Sequence, residues 1–306
     1  AAYIGGAAGT ATVLAGKMFH IPISGTMAHS WVMTFDSEYD AFKAYAESYP
    51  DGTVLLVDTY DVLKSGVPNA IRTAREVLEP MGKKLIGIRL DSGDLAYLSK
   101  EARKMLDEAG LSDCMIVASN SLDEYTISSL NRQGAKIDSY GVGERLITSS
   151  STPVFGAVYK LVAIQKDGKF IPKIKISETA EKITNPGIKE VYRVYDENGK
   201  AVADYLAVKG EQIRDLEPVR YVDPVNYWKN RSFVGCRFKK LQVPVFEKGK
   251  RIYDLPDIEE IRQYVKDQLE NEIWEEEQRF ENAHTHYLDM SPAMFELKMS
   301  LLHEEN

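Results

Sequence analysis

The chain has 306 residues, of which 44% are hydrophobic, 10% aromatic and 27% charged. This composition is typical of a globular protein, and it excludes a disordered tail, a collagen-like rod and a disulfide-stapled miniprotein. The formal net charge of -8 argues against a phosphate-binding footprint for nucleic acid and against a polybasic membrane surface, so small molecules or proteins are the expected partners.

The two cysteines and the start of the chain indicate its cellular setting. Cys114 and Cys236 lie far apart in the sequence, which disfavours a disulfide framework and a zinc site and favours the reducing cytoplasm. The sequence has no run of about 18 apolar residues and no basic segment of a secretory signal at its start. Residue 1 is alanine, and the small-residue start resembles the interior of a packed helix, so we expect an N-terminal segment to precede it.

Five apolar, β-branched runs recur between residues 20 and 143, most of them at steps of roughly 30 residues, which is the length of a strand with its crossover helix. The runs cover residues 20–24, 53–57, 84–90, 114–118 and 137–140. Apolar residues recur at helical spacing between them, as at Phe42, Tyr45, Ala46 and Tyr49 before Pro50. Strands that alternate with amphipathic helices predict a parallel sheet covered by helices.

Polar residues before the helical patterns predict where helices begin. Asp61, Asp94 and Asp257 each precede such a pattern and are predicted N-caps. Ser121 is followed three residues later by Glu124, which predicts a capping box. Glu124 is therefore interpreted as a structural cap and not as an acid catalyst.

Both a doubly wound sheet and a TIM-type barrel fit the alternating pattern, and the placement of polar and glycine residues favours the barrel. These residues follow the ends of all five runs. In a barrel the five loops share one rim, whereas in a doubly wound sheet only the strands beside the switch point converge. Five strands are too few to close an eight-stranded barrel, so the predicted fold is an irregular TIM-like α/β barrel that is incomplete in this chain.

The pattern changes after Gly143 to one of short strands and turns. The predicted strands are residues 153–164, 170–176, 191–195 and 201–208. Residues 229–251 are rich in Lys and Arg and are predicted to be irregular, and the acidic run 274–277 is interpreted as a solvated helix face. We therefore predict a barrel portion over residues 1–165, which carries the site, and a second, partly antiparallel α/β domain over residues 166–306.

The first candidate site residues follow the first two runs. His29 lies in a loop of small residues and is a candidate general base, metal ligand or nucleophile, with a buried structural histidine as the alternative. Thr26 and Ser30 in the same loop offer hydroxyl groups suited to phosphate oxygens. Asp58 ends the second run and is a candidate to hold an imidazole in one tautomer, to bind magnesium or to cap a helix.

Arg89 lies in an otherwise apolar strand. A buried guanidinium is costly unless it is paired, so Arg89 is predicted to meet a substrate carboxylate or phosphate, or a neighbouring aspartate. Asp91 is the candidate for that neighbour, and alternatively a ligand for a metal or for ribose hydroxyls.

Two further loops are predicted to bind phosphate. The first leads into a helix N-terminus, whose free N–H groups favour anions, and the second allows close backbone approach and is followed by hydroxyl groups. The residues are Ser119 and Asn120 in the first loop and Gly141, Gly143, Thr148 and Ser149 in the second.

Six motifs occur in the order seen in nicotinate phosphoribosyltransferases. They are GTMAHS (25–30), DTYD (58–61), RLDSGD (89–94), GVGERLITS (141–149), VYKLV (158–162) and KITNPG (182–187). The chain thus resembles this family of type II phosphoribosyltransferases along almost its whole length. The resemblance implies an irregular α/β barrel beside a second α/β domain. It also implies a role in NAD biosynthesis, in which nicotinate and phosphoribosyl pyrophosphate form nicotinate mononucleotide with Mg²⁺, coupled to ATP hydrolysis through a phosphorylated histidine.

The resemblance also assigns roles to residues. His29 matches the histidine that accepts the γ-phosphate of ATP, and Asp58 is the candidate that holds its second nitrogen. Arg89 matches the arginine that binds the nicotinate carboxylate, with Thr26 beside it, and Asp91 matches an acidic residue near the ribose and base. The two phosphate loops match the cradle of the 5′-phosphate, and the metal ligands stay open. The resemblance further implies a homodimer with shared sites and an upstream segment with an aromatic residue that stacks on nicotinate.

Two alternatives stay open. One is a catalytically incomplete C-terminal fragment that acts only as a ligand-binding scaffold. The other is a related nicotinamide or quinolinate phosphoribosyltransferase. A quinolinate pocket must hold two carboxylates and needs more basic residues than the single arginine found here, whereas neutral nicotinamide would leave Arg89 without a charged partner. Nicotinate is therefore preferred on charge.

Overall fold

The computed structural model describes residues 1–154, 156–179 and 182–304. The chain divides into two compact units, one formed by Ala1–Tyr3 and Ala7–Phe155 and the other by Ile4–Gly6 and Gly156–Asn306. The predicted domain boundary after residue 165 stays a prediction. Among the described residues, every helix is too short or too polar to span a bilayer.

The first unit contains a four-stranded parallel sheet whose strands pair in the order in which they occur along the chain. The strands are β1 (Val54–Leu56), β2 (Gly87–Leu90), β3 (Met115–Ala118) and β4 (Ser139–Tyr140). Arg89 in β2 lies in register with Leu56 on one side and Val117 on the other. Strands that keep their chain order are expected in a barrel wall, because a doubly wound sheet reverses its order at the switch point.

Helices follow and precede these strands throughout the first unit. They are α1 (Val13–Phe19), α2 (His29–Met33), α3 (Glu38–Ser48), α4 (Val67–Thr73), α5 (Leu95–Glu108), α6 (Glu124–Arg132) and α7 (Glu144–Ile147). Two π-helical turns, Val62–Gly66 and Ala74–Leu78, flank α4, and a 3-10 turn covers Glu79–Met81. Strand residues such as Leu55 and Ile88 are fully buried against helix residues such as Phe42. Burial of each such side chain contributes about 1.5–3 kcal/mol.

Three predicted N-caps are confirmed. The side chain of Asp61 accepts two backbone amides of the π-helical turn that it begins, and Asp94 accepts the amide of Tyr97 at the start of α5. Asp257 forms a complete capping box with Glu260 in the second unit. These caps satisfy N–H groups that the first turn of a helix leaves without an intrahelical partner.

The predicted capping box of Ser121 and Glu124 is wrong. The N-cap of α6 is Asp123, whose side chain accepts the amide of Thr126 at 2.7 Å. Ser121 has a φ of 49°, in the left-handed region, whereas an N-cap residue takes an extended backbone. Glu124 is the first residue of the helix and is solvent-exposed.

Residues 20–24 do not form the predicted strand. The β-pairing of this segment is limited to one isolated parallel bridge, between Thr10 and Ile23. Pro22 lies in the middle of the run and has no amide hydrogen to donate to a ladder, which limits pairing there. The loop that carries Thr26, which leads into α2 at His29, therefore follows an irregular segment.

The strands of the second unit are β5 (Ala163–Lys166), β6 (Lys169–Pro172), β7 (Lys189–Tyr195), β8 (Ala201–Val208), β9 (Val219–Val222), β10 (Asn230–Phe233), β11 (Arg237–Lys240), β12 (Phe246–Glu247), β13 (Lys250–Arg251) and β14 (Leu288–Met290). Six of them form a mixed sheet in the order β10-β9-β14-β8-β7-β11, and β5–β6 and β12–β13 form two separate hairpins. Its helices are α8 (Ile258–Asp267) and α9 (Pro292–Glu304), with a π-helical turn over Gln268–Glu272 and a 3-10 turn over Glu275–Glu277. Tyr205 is buried at the centre of this unit against Phe233 and Phe238.

The predicted hairpin of residues 191–195 and 201–208 is confirmed as β7 and β8. The strand predicted over 153–164 overlaps β5 at residues 163 and 164, and the strand predicted over 170–176 overlaps β6 at residues 170–172. The other described residues of these two ranges form no strand, and residue 155 lies outside the described residues. Val158 and Tyr159 in the first of these segments are exposed and bury no apolar surface in a sheet.

One further prediction for the second unit is wrong and another holds in part. Residues 229–251 are not irregular, since they contribute four of its strands. Phe238 packs against the core while the flanking cations point outward, which is the alternation of a strand. The solvated face predicted for the acidic run is confirmed for Trp274, Glu275 and Glu276, which are exposed. Glu277 is the exception, because its carboxylate lies 3.0 Å from His286 Nδ1 and is largely buried.

Candidate active site

His29 and Asp58 form a hydrogen-bonded pair. His29 is the first residue of α2, and its Nε2 lies 3.2 Å from Oδ1 of Asp58, which follows β1. The imidazole is 39% exposed, whereas the Asp58 side chain is 1% exposed. Within the described part of the chain, the other ring nitrogen, Nδ1, has no hydrogen-bond partner. A buried carboxylate therefore fixes one nitrogen and leaves the other open for chemistry.

The Asp58 carboxylate is held by donors from the loop after β2. Its Oδ2 accepts the backbone amide of Asp91 at 3.2 Å and the hydroxyl of Ser92 at 2.5 Å. A buried carboxylate needs such donors, and together they fix the rotamer that directs Oδ1 at His29. Ser92 was not among the predicted site residues, although it directly follows Asp91 in the motif RLDSGD.

Arg89 has no carboxylate partner among the described residues. Its Nη1 donates a hydrogen bond to Thr26 Oγ1 at 2.5 Å, and its Nε is buried without a described partner. Of the alternatives given for Arg89, the pairing with Asp91 is absent among the described contacts, and the Asp91 carboxylate instead accepts a hydrogen bond from the Ser119 hydroxyl at 2.5 Å. A half-buried guanidinium whose charge no described carboxylate balances is suited to bind an anion from outside the chain.

The loops after β2, β3 and β4 meet around Asp91. Besides the Ser119 hydroxyl bond to Asp91, the Ser119 amide donates to Leu90 O at 2.9 Å and the Gly141 amide donates to Ala118 O at 2.8 Å. A Cβ atom added at Gly141 would lie 3.3 Å from Ser119 Cβ. Glycine at position 141 therefore allows the end of β4 to approach the end of β3.

The remaining predicted residues lie outside these contacts and are exposed; they are Ser30, Asn120, Gly143, Thr148 and Ser149. Thr148 is the C-cap of α7, and its Oγ1 donates to the carbonyl of Glu144 at the start of that helix. Asn120 and Ser149 have positive φ values of 87° and 50°. Their roles in binding phosphate stay predictions.

The loop 141–149 is tied to α6 by an ion pair that the sequence analysis did not foresee. Arg145 Nη1 pairs with the carboxylate of Asp123, the N-cap of that helix. The Thr126 amide and the Arg145 guanidinium together lower the pKa of Asp123 to about 2, so this carboxyl group is ionised at neutral pH. The predicted phosphate loop is thus anchored at one defined point.

These features define the class of parallel α/β proteins whose polar groups gather where successive strands end, as in barrel enzymes. The sequence model described as the nicotinate phosphoribosyltransferase (NAPRTase) family matches residues 4–200, and that of the nicotinate phosphoribosyltransferase C-terminal domain matches residues 188–298. The chain belongs to the nicotinate phosphoribosyltransferase family, which confirms the resemblance drawn from its motifs.

Similar proteins come from several kingdoms. The chain is 49% identical over 305 residues to the nicotinate phosphoribosyltransferase of Bacillus subtilis, covering 99% of this chain and 61% of that protein. It is 36% identical over 347 residues to that of Dictyostelium discoideum, covering 96% and 58%. The solved structure of human nicotinic acid phosphoribosyltransferase matches with a TM-score of 0.80 at 25% identity, covering 98% of this chain and 66% of that one. The predicted fold class is confirmed, and the chain spans less than two thirds of the length of these relatives.

Proposed function

We propose that this chain carries the active site of a nicotinate phosphoribosyltransferase that acts in NAD biosynthesis. The observation that carries the proposal is the state of Arg89, whose guanidinium contacts the Thr26 hydroxyl and no described carboxylate. A pyridine monocarboxylate supplies the one negative charge that this position lacks. The names of the most similar relatives support the same substrate.

In the proposed transfer the ring nitrogen of nicotinate attacks C1′ of phosphoribosyl pyrophosphate. The C1′–N bond forms as the bond from C1′ to the pyrophosphate oxygen breaks, and pyrophosphate leaves with that electron pair. Arg89 holds the carboxylate and so orients the ring nitrogen. Asp91, fixed by the hydroxyl of Ser119, is the carboxylate that the site offers to the ribose hydroxyls and to the positive charge that develops on the sugar.

The proposed coupling to ATP uses the free nitrogen of His29. Nδ1 attacks the γ-phosphorus, the bond to the bridging oxygen breaks, and ADP leaves. Asp58 accepts a hydrogen bond from Nε2–H, which keeps the lone pair on Nδ1 and stabilises the positive charge of the phosphorylated ring. Water then hydrolyses the phosphohistidine to phosphate and restores the free imidazole.

Mg²⁺, when bound, neutralises charge on the leaving pyrophosphate. Across the residues that the structure describes, no group of three or more His, Cys, Asp or Glu side chains is arranged to hold a metal ion. Substrate phosphates and water would therefore supply most of the ligands, and Asp91 is the carboxylate that fits this role, since Mg²⁺ commonly uses one or two carboxylates beside phosphates.

We also propose that the protein works in the cytoplasm as a homodimer, with ATP as a co-substrate. Both cysteines are free and buried, which suits a reducing compartment. The homodimer follows from the family resemblance.

The test is a steady-state assay of the protein produced from its complete gene, with phosphoribosyl pyrophosphate and either nicotinate, nicotinamide or quinolinate. We expect nicotinate mononucleotide to form, accompanied by ATP hydrolysis. Turnover of nicotinamide or quinolinate but not of nicotinate would contradict the proposal. The same assay on the 306-residue chain addresses the scaffold alternative, because turnover excludes it and nicotinate binding without turnover favours it.

A further inference from the structure

Glu38 is a buried carboxylate that lies outside the proposed chemistry. It is the first residue of α3 and is 5% exposed. Its Oε2 accepts hydrogen bonds from Ser65 Oγ at 2.5 Å and from Asn69 Nδ2 at 3.0 Å, while Oε1 is buried without a described partner. No lysine or arginine among the described residues pairs with it. The first turn of a helix favours a negative charge, yet burial of an unpaired carboxylate still disfavours folding, so its presence calls for an explanation.

Glu38 is connected to His29 through the packing of α3 against α2. α3 begins shortly after α2, and the two helices pack together through Trp31. The indole Nε1 of Trp31 donates to the Ala41 carbonyl at 3.1 Å, and its ring lies edge-on to Tyr45 with centroids 6.3 Å apart. Glu38 and His29 therefore belong to one packed pair of helices.

Glu38 is connected to Asp58 through its two hydrogen-bond donors, Ser65 and Asn69. Ser65 lies in the π-helical turn that follows Asp58, and Asn69 lies in α4 directly after the turn. The turn is seated tightly on the end of β1, because a Cβ atom added at Gly66 would come within 1.9 Å of the Val57 carbonyl oxygen. Val57 immediately precedes Asp58, so the turn packs directly against the strand end from which this carboxylate extends.

We propose that Glu38 is a positioning residue for the His29–Asp58 pair. The Glu38 carboxylate connects the packed pair α2 and α3, which contains His29, to the turn Val62–Gly66, which packs beside Asp58. This connection adds a second constraint on the 3.2 Å contact between the His29 imidazole and the Asp58 carboxylate. A carboxylate oxygen can accept two hydrogen bonds at once, which suits a position where the Ser65 hydroxyl and the Asn69 amide both donate. The inference rests on the proposed phosphoryl transfer to His29, and Glu38 acts through these elements without contact to substrate.

The experiment compares Glu38→Ala, Glu38→Gln and Ser65→Ala with the unaltered protein. The protein is incubated with γ-labelled ATP, and three quantities are measured: the rate of acid-labile labelling at His29, the Kd for nicotinate and the Tm. Loss of a residue that orients a reactive group commonly lowers activity about tenfold to a hundredfold, and we expect this for the labelling rate of Glu38→Ala with the Kd unchanged. Glu38→Gln keeps an acceptor oxygen and should recover part of the rate.

Asp40→Ala is the matched control. It removes a carboxylate from the same turn of α3, but Asp40 is exposed and bonds only to Ser37 among the described residues. Its labelling rate should equal that of the unaltered protein. If Glu38→Ala does not fold, the smaller change Ser65→Ala decides the matter, with a lower rate expected.

Three results would overturn the inference. The first is normal labelling in folded Glu38→Ala and Ser65→Ala, and the second is an equal loss in Asp40→Ala, which would assign the effect to helix charge. The third is the absence of label from the unaltered protein, which would remove the proposed phosphoryl transfer together with the inference. The first two leave that transfer intact, so the two failures are distinguishable.

Discussion

Arg89 is the residue whose chemistry is most sharply defined by its surroundings. It lies in the middle of the sheet between β1 and β3, and no described carboxylate balances its charge. Thr26 accepts one of its hydrogen bonds, which fixes the direction of the guanidinium. A substrate carboxylate that arrives there meets a pre-oriented donor, so binding needs little rearrangement.

Substitution Arg89→Ala should weaken nicotinate binding severely. Truncation of one partner of a buried, hydrogen-bonded charge pair costs about 2–5 kcal/mol, and we therefore expect the KM for nicotinate to rise about thirtyfold or more. The KM for phosphoribosyl pyrophosphate serves as the internal control and should stay unchanged. An unaltered nicotinate KM in the steady-state assay would refute the assignment of Arg89.

Individual residues differed in how well the sequence predicted them. Arg89 and His29 could be found because a cation in an apolar strand and a histidine in a small-residue loop are locally unusual. Ser92 and Arg145 could not, because their partners Asp58 and Asp123 are 34 and 22 residues away in the sequence. A hydroxyl or a guanidinium in a polar loop carries no local sign of such a partner.

Among the secondary-structure elements, the π-helical turn Val62–Gly66 connects the end of β1 to α4. Gly66 has ordinary right-handed helical dihedrals, so its backbone conformation does not require glycine. The requirement is steric, since Gly66 approaches the carbonyl of Val57 more closely than any side chain allows. This packing holds the turn that contains Ser65 and precedes Asn69.

Gly66→Ala should therefore destabilise the first unit. The added methyl group forces the turn away from the strand, and overpacking of this kind costs about 1–3 kcal/mol or more. Gly52→Ala is the matched control, because a Cβ atom there meets nothing within 4 Å, and its effect should stay within about 0.5 kcal/mol. Urea denaturation monitored by circular dichroism measures both, and equal midpoints for the two variants would contradict this account of the turn.

The two units of the molecule have separate cores, which contain different titratable groups. In the second unit Asp289 lies in β14 and is 7% exposed. Burial, together with the negative charge of Asp223, raises the pKa of Asp289 to about 6. The folded state thus binds a proton on this group more tightly than the unfolded state does.

The sign of the resulting pH dependence follows from that difference. The stabilising contribution is complete below the unfolded pKa of about 3.9 and is lost as pH rises through about 6. Asp289→Asn should therefore be more stable than the unaltered protein at pH 8, on the order of 2 kcal/mol, with the difference shrinking towards pH 4. Urea denaturation across this range measures it, with exposed Asp254→Asn as the control. Parallel stability profiles for Asp289→Asn and the unaltered protein would contradict the prediction.

The architecture of the molecule was partly predictable. Repeated strands and helices up to residue 143 are local patterns, so the parallel sheet could be read from periodicity, apart from the interrupted run 20–24. The second unit depends on distant pairings, such as β14 between β8 and β9, and local propensity does not encode them. This is why residues 229–251 were interpreted as irregular although they form strands.

In the proposed reaction His29 carries a phosphoryl group and is held in position by Asp58. The most direct measurement is incubation of the protein with γ-labelled ATP, followed by mapping of acid-labile phosphate by peptide mass spectrometry. We expect label at His29, its loss in His29→Asn and a lower labelling rate in Asp58→Asn. Label on a different residue, or ATP-coupled formation of nicotinate mononucleotide by His29→Asn at the unaltered rate, would contradict it.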